Sequence, residues 1–393
     1  MQEKANKPAL RFKGFDEVWE QRKLKEEVTE IIAGGDVDKN LLHQKGQYPV
    51  IANALTDEGI IGYYDTEYRI TAPAVTVTGR GDIGHARART DNFTPVVRLL
   101  SIKSSHDVFF LENAINTLKI VVESTGVPQL TVPQLEKYEL YFPNNHKEEE
   151  IIGLFFQKIN NLITLHQRKY TKLVNIKKAM LEKMFPKNGE DVPEIRFAGF
   201  TDPWEQRKLG NIGQTYTGLS GKTKEDFGHG DASFITYMNV FSNPVANPNM
   251  IEPIEIDQKQ NEVKVGDVFF TTSSETPEEV GMTSVLLEKY GKTYLNSFCF
   301  GFRPTEKFDN YFLAYMLRSH SVREKITLLA QGISRYNISK NKVMEITISV
   351  PTPEEQKCVG EYFRLLDTLI TLHQRKLEKL QHIKKACLEK MFV

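Results

Sequence analysis

The sequence predicts an α+β fold of mixed helices and strands, in which two globular domains are separated by two long helices that pair as an antiparallel coiled coil. The segment RFKGFDEVWEQRKL at residues 11–24 returns as RFAGFTDPWEQRKL at residues 196–209, with 10 of 14 positions identical. Residues 156–185 return as residues 363–392, with 20 of 30 positions identical. The stretches between these segments share little identity, so the chain is an internal pseudo-twofold repeat that holds two unlike inserts.

Length and composition fit a folded chain with at least two cores. Of the 393 residues, 26% are charged and 40% are hydrophobic, which is a globular balance. The N-terminal residues lack the apolar stretch of a signal sequence, and no window approaches about 18 uninterrupted apolar residues. We therefore expect a cytoplasmic protein without a membrane span. Since basic and acidic residues both total 51, any surface that binds phosphate must be a local patch.

Residues 1–146 are predicted to form an N-terminal segment and the first domain, with its insert at Glu26–Pro143. Short apolar runs bounded by turn residues predict strands, and a longer apolar run predicts one helix. The strands are YPVI at 48–51, GIIGYYD at 59–65, ITAPAVTVTG at 70–79 and TPVVRLLSI at 94–102, and the helix is VFFLENAINTLKIV at 108–121. A glycine loop, a final strand and a proline at 126–143 close the domain.

Residues 147–186 and 352–393 are predicted to be the two long spacer helices. Each contains a single glycine, Gly153 or Gly360, at equivalent positions. Apolar residues recur every 3.5 residues, which is typical of a coiled-coil seam. The seam residues are Ile152, Phe156, Ile159, Ile163, His166 and Leu173 in the first helix and Phe363, Leu366, Ile370, His373 and Leu380 in the second. A further stripe that includes Leu162 and Leu165 leaves apolar surface for a globular domain or another subunit.

Residues 187–351 are predicted to form the second domain, with its insert at Gly210–Pro351. Strand-like runs precede a helix, as in the first domain. The runs are SFITYMNVF at 233–241, VGDVFFTT at 265–272, TSVLLE at 283–288 and TYLNSFCFGFRP at 293–304, and the helix is NYFLAYMLRSHSVREKI at 310–326. The stretch GISRYNISKNKVMEITISVP at 332–351 closes the domain in the same way as the first.

Cysteine and histidine spacing predicts no metal site. Cys299, Cys358 and Cys387 form no CxxC pair and no even framework, which favours a reduced compartment. His166 and His373 are matched on the seam, but neither has a second ligand four residues away on its helix. We expect these histidines to fix the register of the helices.

Two glycine-rich motifs resemble nucleotide-binding loops without meeting their requirements. GRGDIG at 79–84 follows a strand, but the next residues lead to Pro95 and another strand instead of a helix, so the dinucleotide fingerprint is incomplete. GLSGKT at 218–223 lacks the spacing of a phosphate loop. No adenine methyltransferase motif and no helicase motif set is present, and the carboxylates are scattered over helix starts and turns, where solvation and capping explain them. We expect no catalytic activity in this chain.

Basic and small polar residues in loops are the candidates for DNA contacts. Arginine and asparagine read base edges, whereas lysine and backbone amides hold phosphates. The candidates are Thr78, Arg80, His85, Arg87 and Arg89 in the first domain and Lys222, Lys224, Thr272, Ser273, Arg335, Asn337 and Lys340 in the second. Ordinary solvated loop charge is the alternative for each basic residue.

The order of variable domain, long helix, variable domain and near-identical helix resembles the specificity subunit of type I restriction-modification systems. The likeness covers essentially the whole chain. Its most specific marks are the twin WEQRKL segments, the helix ends LHQRK and IKKAMLEKMF, and the stretches GYYD, TGRGDIG, GDVFFTTSSETPEEVG and GISRYNIS.

The resemblance implies that each insert is a target recognition domain that reads half of a bipartite site in double-stranded DNA. It implies that the long helices set the spacer between the half-sites and dock two methyltransferase subunits, with restriction and translocase subunits completing the complex. AdoMet, ATP and Mg²⁺ would then belong to the partner subunits, and this chain would hold no cofactor. Because the inserts differ in length and sequence, the site is expected to be asymmetric.

Two other classes of function remain open at this point. One alternative is a stand-alone regulatory protein whose tandem domains bind DNA without partners. A fused restriction enzyme is disfavoured by the missing catalytic motifs.

Overall fold

The structure is a computed structural model that describes residues 6–121, 128–289 and 291–393. The chain divides into two compact units. The first unit comprises residues 1–168 and 374–393, and the second comprises residues 169–373. Among the described residues, none of the helices has the length and apolar character needed to cross a membrane.

The described chain contains runs of strands followed by helices. The strands are β1 (Glu20–Lys23), β2 (Val28–Ala33), β3 (Tyr48–Ile51), β4 (Ile60–Tyr64), β5 (Ala74–Thr78), β6 (Ala86–Arg89), β7 (Thr94–Pro95), β8 (Leu99–Ser104), β9 (Glu139–Phe142), β10 (Glu205–Lys208), β11 (Gly213–Thr217), β12 (Phe227–Ile235), β13 (Ile251–Ile254), β14 (Val268–Thr271), β15 (Ser273–Ser274), β16 (Thr283–Val285), β17 (Thr293–Leu295), β18 (Cys299–Pro304), β19 (Tyr336–Asn337) and β20 (Thr347–Val350). The helices are α1 (Leu24–Glu27), α2 (Val108–Asn116), α3 (Val132–Leu135), α4 (His146–Lys183), α5 (Leu209–Ile212), α6 (Tyr237–Ser242), α7 (Asn310–Met316), α8 (His320–Thr327), α9 (Lys340–Met344) and α10 (Pro353–Met391).

The first unit is built on a four-stranded antiparallel sheet with the order β2, β8, β5, β6. A three-stranded sheet has the order β4, β3, β7, with β3 and β7 parallel. The short strands β1 and β9 pair separately. Helix α2 packs on β5 and β6, and its buried face contributes Phe110 and Leu111 to the core.

The second unit repeats this topology and adds one short ribbon. Its four-stranded sheet has the order β11, β18, β14, β16, and its three-stranded sheet has the order β13, β12, β17, with β12 and β17 parallel. The strands β10 and β20 pair as β1 and β9 do, and β15 and β19 form an additional short ribbon. The two inserts therefore share one fold despite their different sequences.

Matched buried ion pairs fix the start of each long helix. Arg11 donates from Nε and Nη2 to the carboxylate of Glu148 at 2.5 and 2.7 Å. Arg196 donates in the same way to Glu355 at 2.7 and 2.8 Å. Both glutamates are only 1% exposed, so the expectation that solvation explains the acids at these helix starts is wrong for them. Removing either arginine would leave a buried carboxylate unpaired, which is strongly destabilising.

A glycine in each long helix permits close packing against the cap of a domain helix. Asp107 caps α2 and Asp309 caps α7 by accepting backbone hydrogen bonds. A Cβ atom on Gly153 would lie 1.9 Å from Asp107 Oδ1, and a Cβ atom on Gly360 would lie 2.2 Å from Asp309 Oδ1. Only glycine fits at these two positions without a shift of the cap or the helix.

Aromatic contacts show how the ends of the long helices pack. In the first unit Phe392, which follows α10, lies with its ring centroid 5.9 Å from that of Phe156 in α4 and 6.1 Å from that of Trp19. In the second unit Phe185, which follows α4, stacks on Phe363 of α10 at 5.7 Å. In each unit the first half of one long helix therefore lies beside the last turns of the other, and the predicted antiparallel pairing is confirmed.

Several expected elements differ from the sequence prediction. The single strands predicted at 94–102 and 293–304 are each divided into two, β7 with β8 and β17 with β18. The helix predicted at 108–121 ends at Asn116. The run at 233–241 is a strand only to Ile235, because Thr236 caps the short helix α6 that comes next. The single helix predicted at 310–326 consists of two helices, α7 and α8, with Ser319 as the cap residue of the second.

Candidate nucleic-acid interface

In the first unit, a rigid turn lies at the end of β5. The turn at 79–84 joins β5 to the antiparallel strand β6, so the helix that a dinucleotide-binding loop requires does not come after it. The Thr78 hydroxyl accepts a hydrogen bond from the His85 N–H at 3.0 Å and donates to the Asp82 carbonyl. Thr78 is only 6% exposed, and its hydroxyl shapes the turn.

Arg80 projects from this turn. It is exposed, and its backbone bridges to Gln129 in the loop that closes the domain. The glycine at the start of that loop, Gly126, lies outside the described residues. Arg98 stands beside the turn, because its carbonyl oxygen lies only 2.2 Å from where a Cβ atom on Gly79 would be. We call residues 79–85 with Arg98 and Gln129 the first strand-end surface.

The second unit carries an equivalent surface at the end of β14. The Ile338 N–H donates to the Thr272 carbonyl at 3.0 Å, just as the Leu130 N–H donates to the Gly79 carbonyl at 2.9 Å in the first unit. In both units the closing loop is thereby held beside the strand end. We call Thr272, Phe298 and residues 331–337 the second strand-end surface.

An arginine and an aromatic ring dominate the second strand-end surface. Arg335 is exposed and lies over the ring of Phe298 at 6.0 Å, and Phe298 is 56% exposed. Asn337 is also exposed and pairs with Ser273 through the β15–β19 ribbon. Ser273 itself is 4% exposed and lies within the ribbon. A two-stranded ribbon of this kind can enter the major groove of DNA.

The arginines on β6 line a cleft of about 1040 Å³ in the first unit. Arg87 pairs with the Glu58 carboxylate at 2.6 Å. Arg89 donates to Thr76 Oγ1 at 3.0 Å and to the Glu58 carbonyl at 2.9 Å. Burial, with the nearby Arg87 charge, lowers the pKa of Arg89 to about 10. The Arg89 guanidinium thus links β6 to Thr76 on β5 and to the Glu58 carbonyl. Arg87 and the exposed His85 face the cleft.

The lysines predicted in the second unit differ in their environments. Lys222 is 13% exposed at its side chain and pairs with Asp257 at 3.0 Å and Asp226 at 3.5 Å, so it holds its loop and does not present a free charge. Lys224 is exposed at the start of a short 3₁₀ turn. Lys340 is exposed at the first position of α9, directly after the second strand-end surface.

The predicted seam residues are buried or half-buried. Residues Ile152, Phe156, Ile159, Phe363 and Leu366 are buried, and residues Ile163, His166, Leu173, Ile370, His373 and Leu380 are half-buried. The further apolar stripe is exposed at matched positions: Leu162 and Leu165 in the first unit are 44% and 45% exposed, and Leu369 and Leu372 in the second unit are 41% and 43% exposed. This stripe is apolar helix surface that its own unit leaves uncovered.

Several residues that line the first-unit cleft were not predicted from the sequence. They are polar side chains on the inner face of the long helices, namely Gln157, Asn160, Asn161, Arg168, Gln381 and Lys384. The signal that would have found those on α4 is their recurrence at helical spacing, which places them on one helix face. Arg98 and Phe298 were not predicted as interface residues, because each immediately precedes a strand whose apolar pattern is typical of the hydrophobic core.

Comparisons with known proteins identify the family of this chain. A family model described as the type I restriction modification DNA specificity domain matches residues 16–175 and 201–382. The specificity subunit of the type I restriction enzyme MjaVIII from Methanocaldococcus jannaschii is 22% identical over 284 residues, which cover 68% of this chain and 64% of that protein. A protein from Mycoplasma pneumoniae named as a candidate type I specificity subunit is 31% identical over 134 residues, covering 33% of this chain and 37% of that protein. The chain thus spans less than two thirds of the length of these curated relatives.

A solved structure shares the fold along the whole chain. The crystal structure of the S subunit of a type I restriction-modification system from M. genitalium superposes with a TM-score of 0.62 at 15% identity, covering 98% of this chain and 99% of that one. The family model matches both halves of the chain, from the repeated WEQRKL segments into the long helices. The chain belongs to the type I restriction-modification DNA specificity family.

Proposed function

We propose that this chain is the non-catalytic subunit that selects the DNA site of a type I restriction-modification complex. Each insert reads one half of a bipartite site in double-stranded DNA. The proposal rests on one observation, which is that the two inserts share a topology but present different side chains at their strand-end surfaces. A frame that is repeated while its exposed loops diverge is what two independent readers require.

The side chains at the two surfaces support different half-sites. The first presents the exposed Arg80 with the half-buried Arg98, whereas the second presents Arg335 and Asn337 beside an exposed phenyl ring. Arginine reads guanine bidentately and asparagine reads adenine, while an apolar side chain contacts the thymine methyl group. The full site is therefore asymmetric.

The partners follow from the exposed stripe and from the long helices. The stripe of leucines on α4 and α10 is matched in the two units, which suits two identical methyltransferase subunits that dock in equivalent ways. Restriction and translocase subunits complete the complex. AdoMet, ATP and Mg²⁺ act on these partners, and base flipping for methylation falls to the methyltransferase subunits.

The test is to express the chain with its methyltransferase partners in a host free of other methylation and to sequence the methylome. We expect the chain to purify with two methyltransferase chains per copy and the host DNA to carry one asymmetric, interrupted motif. The matched control expresses the methyltransferase alone, which should leave that motif unmethylated. A continuous motif, or the same motif without this chain, would contradict the proposal.

A further inference from the structure

The start of α4 in the first unit holds a cluster of side chains that the DNA-reading surfaces do not use. His106 lies in the loop before α2, and His146 and Glu149 lie one turn apart at the start of α4. Their ligand-type atoms all lie within 4.8 Å of one another. His106 and Glu149 are buried, and His146 is exposed, with 68% of its side chain accessible. One face of the cluster is thus open to solvent.

The distances within the cluster suit a shared cation. His106 Nδ1 lies 2.9 Å from Glu149 Oε2, and His146 Nδ1 lies 3.6 Å from the same oxygen. Ligands of a tetrahedral Zn²⁺ ion at its usual bond lengths are about 3.3 Å apart. The two distances to Glu149 lie on either side of this value, and all three ligand atoms lie within 4.8 Å of one another.

Glu27 orients the buried histidine. His106 Nε2 lies 2.9 Å from Glu27 Oε2, and Glu27 is itself held by Arg22 at 3.1 Å. A carboxylate that accepts the N–H of one ring nitrogen leaves the other nitrogen directed at a metal, which is the usual support of a metal-binding histidine. Here the nitrogen available to a metal is Nδ1, which faces Glu149.

Glu149 is a buried carboxylate whose polar partners are histidines and a backbone amide. Its side chain is only 1% exposed, and within the described residues no lysine or arginine forms an ion pair with it. The neighbouring Glu148, equally buried, has the bidentate partner Arg11. Burying a carboxylate is costly unless it is paired, so Glu149 depends on the two histidines for its partners.

The second unit of the internal repeat lacks this cluster, although the two units share the same frame. The capping aspartates and the arginine-paired glutamates fix the alignment of the two units. In that alignment the positions of Glu27, His106, His146 and Glu149 are occupied in the second unit by Ile212, Phe308, Pro353 and Gln356. In the second unit the same frame folds with apolar or amide side chains at all four positions. The frame therefore does not require the histidines and the glutamates. Their joint presence in one unit points to a separate role.

We propose that His106, His146 and Glu149 bind one divalent transition-metal ion, for which Zn²⁺ is the reference, with Glu27 as the positioning residue of His106 and a water molecule at the open coordination position. Imidazole and carboxylate ligands in this combination suit zinc. The ion links the start of α4 to the loop before α2 and, through Glu27, to the end of α1. It acts as a structural cross-link of the first unit, and this inference does not depend on the proposed function.

The test uses the full-length chain, stripped of metal with a chelator and titrated with zinc chloride against a chromogenic competitor. We expect one equivalent of Zn²⁺ to bind, a rise in the unfolding temperature of the protein on binding, and visible absorption bands of tetrahedral geometry when Co²⁺ replaces Zn²⁺. His146→Ala should weaken binding by at least about tenfold, and Glu27→Gln should weaken it by about 10- to 100-fold through the orientation of His106.

The matched control is His320→Ala. His320 is exposed on a helix, and its Nε2 lies 3.1 Å from Glu324, so it offers the same imidazole–carboxylate pair without a third ligand. We expect this variant to bind zinc as the wild type does. Since His146 is exposed, the metal-free His146→Ala protein should unfold at the wild-type temperature, which separates loss of a ligand from loss of the fold. Failure of the wild type to take up one equivalent, or unchanged affinity in His146→Ala, would overturn the proposal.

Discussion

At the scale of single residues, the exposed arginines of the two strand-end surfaces should act on separate halves of the DNA site. Arg80→Ala should relax or weaken readout of one half-site, and Arg335→Ala should do so for the other. A lost base contact should cost about 1–3 kcal/mol of binding free energy, whereas a lost phosphate contact should mainly reduce the salt dependence of binding. The measurements are the affinity of the assembled complex for its site at several salt concentrations and the methylated motif.

The control for both variants is Arg364→Ala. Arg364 pairs with Glu361 three residues away on α10, so its removal should leave affinity and motif unchanged. An identical effect of Arg80→Ala and Arg335→Ala on the same half-site would contradict the assignment of one surface to each reader.

The candidate side chains were less predictable than the loops that carry them. Thr78, Ser273 and Lys222 belong to the predicted set, yet the structure buries the first two and pairs the third with two aspartates. Residue type and loop position are visible in a sequence, whereas burial depends on which distant segment packs against the loop. For the same reason the cluster around His106 was not predicted, because its members are separated by up to 122 positions, from Glu27 to Glu149.

At the scale of elements, Gly153→Ala tests the close approach of α4 to the cap of α2. Helix propensity alone would stabilise the variant by about 1 kcal/mol. The added Cβ atom would lie 1.9 Å from Asp107 Oδ1, and overpacking of this kind costs about 1–3 kcal/mol. We therefore expect a lower unfolding temperature by calorimetry. Lys158→Ala, at an exposed position of the same helix, should change the free energy of unfolding by less than about 0.5 kcal/mol. Stabilisation by Gly153→Ala would show that the helix and the cap are not in tight contact.

Insertions near the middle of both long helices test whether they set the spacer of the DNA site. Four residues added after Tyr170 and four after Leu377 lengthen each helix by about 6 Å and rotate its downstream part by about 40°, which an apolar seam can absorb. The methylated motif should keep both half-sites and gain one or two unspecified base pairs, since a base pair occupies about 3.4 Å. Two-residue insertions at the same places rotate the seam by about 200°, so they should abolish assembly with the methyltransferase. An unchanged spacer in an active four-residue variant would remove the helices from this role.

Periodicity and repetition predicted most of the elements that the structure contains. The two long helices begin and end within three residues of their predicted limits, because an uninterrupted seam of apolar residues leaves little alternative to a helix. The division of the 310–326 stretch into α7 and α8 was missed, because its apolar pattern continues through the break. The order of the strands within each sheet also could not be predicted, since it is fixed by pairing between distant segments.

At the scale of the whole molecule, the repeat explains how one chain can hold the two proposed readers. Matched arginine–glutamate pairs, matched glycines and matched terminal phenylalanines build the same frame twice, and none of these contacts involves the exposed strand-end residues. Substitution at the strand-end surfaces should therefore leave the frame intact. The frame was predictable because it is repeated in sequence, whereas the bases that each surface is proposed to read would depend on side-chain geometry in a complex with DNA.

The purified chain alone should neither methylate nor cleave DNA. It lacks the methyltransferase and helicase motifs, and the buried carboxylates of Glu148, Glu355 and Asp267 are engaged in ion pairs with arginines. The measurement is transfer of labelled methyl groups from AdoMet to DNA, with the reconstituted complex as the positive control. Methyl transfer by the chain alone that persists through stringent purification would place catalysis in this subunit.

The most direct test of the central claim is an exchange of one insert, with methylome sequencing as the measurement. Glu26–Pro143 is replaced by the corresponding insert of another family member, and the reciprocal variant replaces Gly210–Pro351. Because each insert forms its own sheets on a shared frame, the first exchange should change one half-site and leave the other half-site intact, and the second exchange should change only the half-site that the first preserved. A change in both half-sites after a single exchange would show that the two inserts do not read DNA independently.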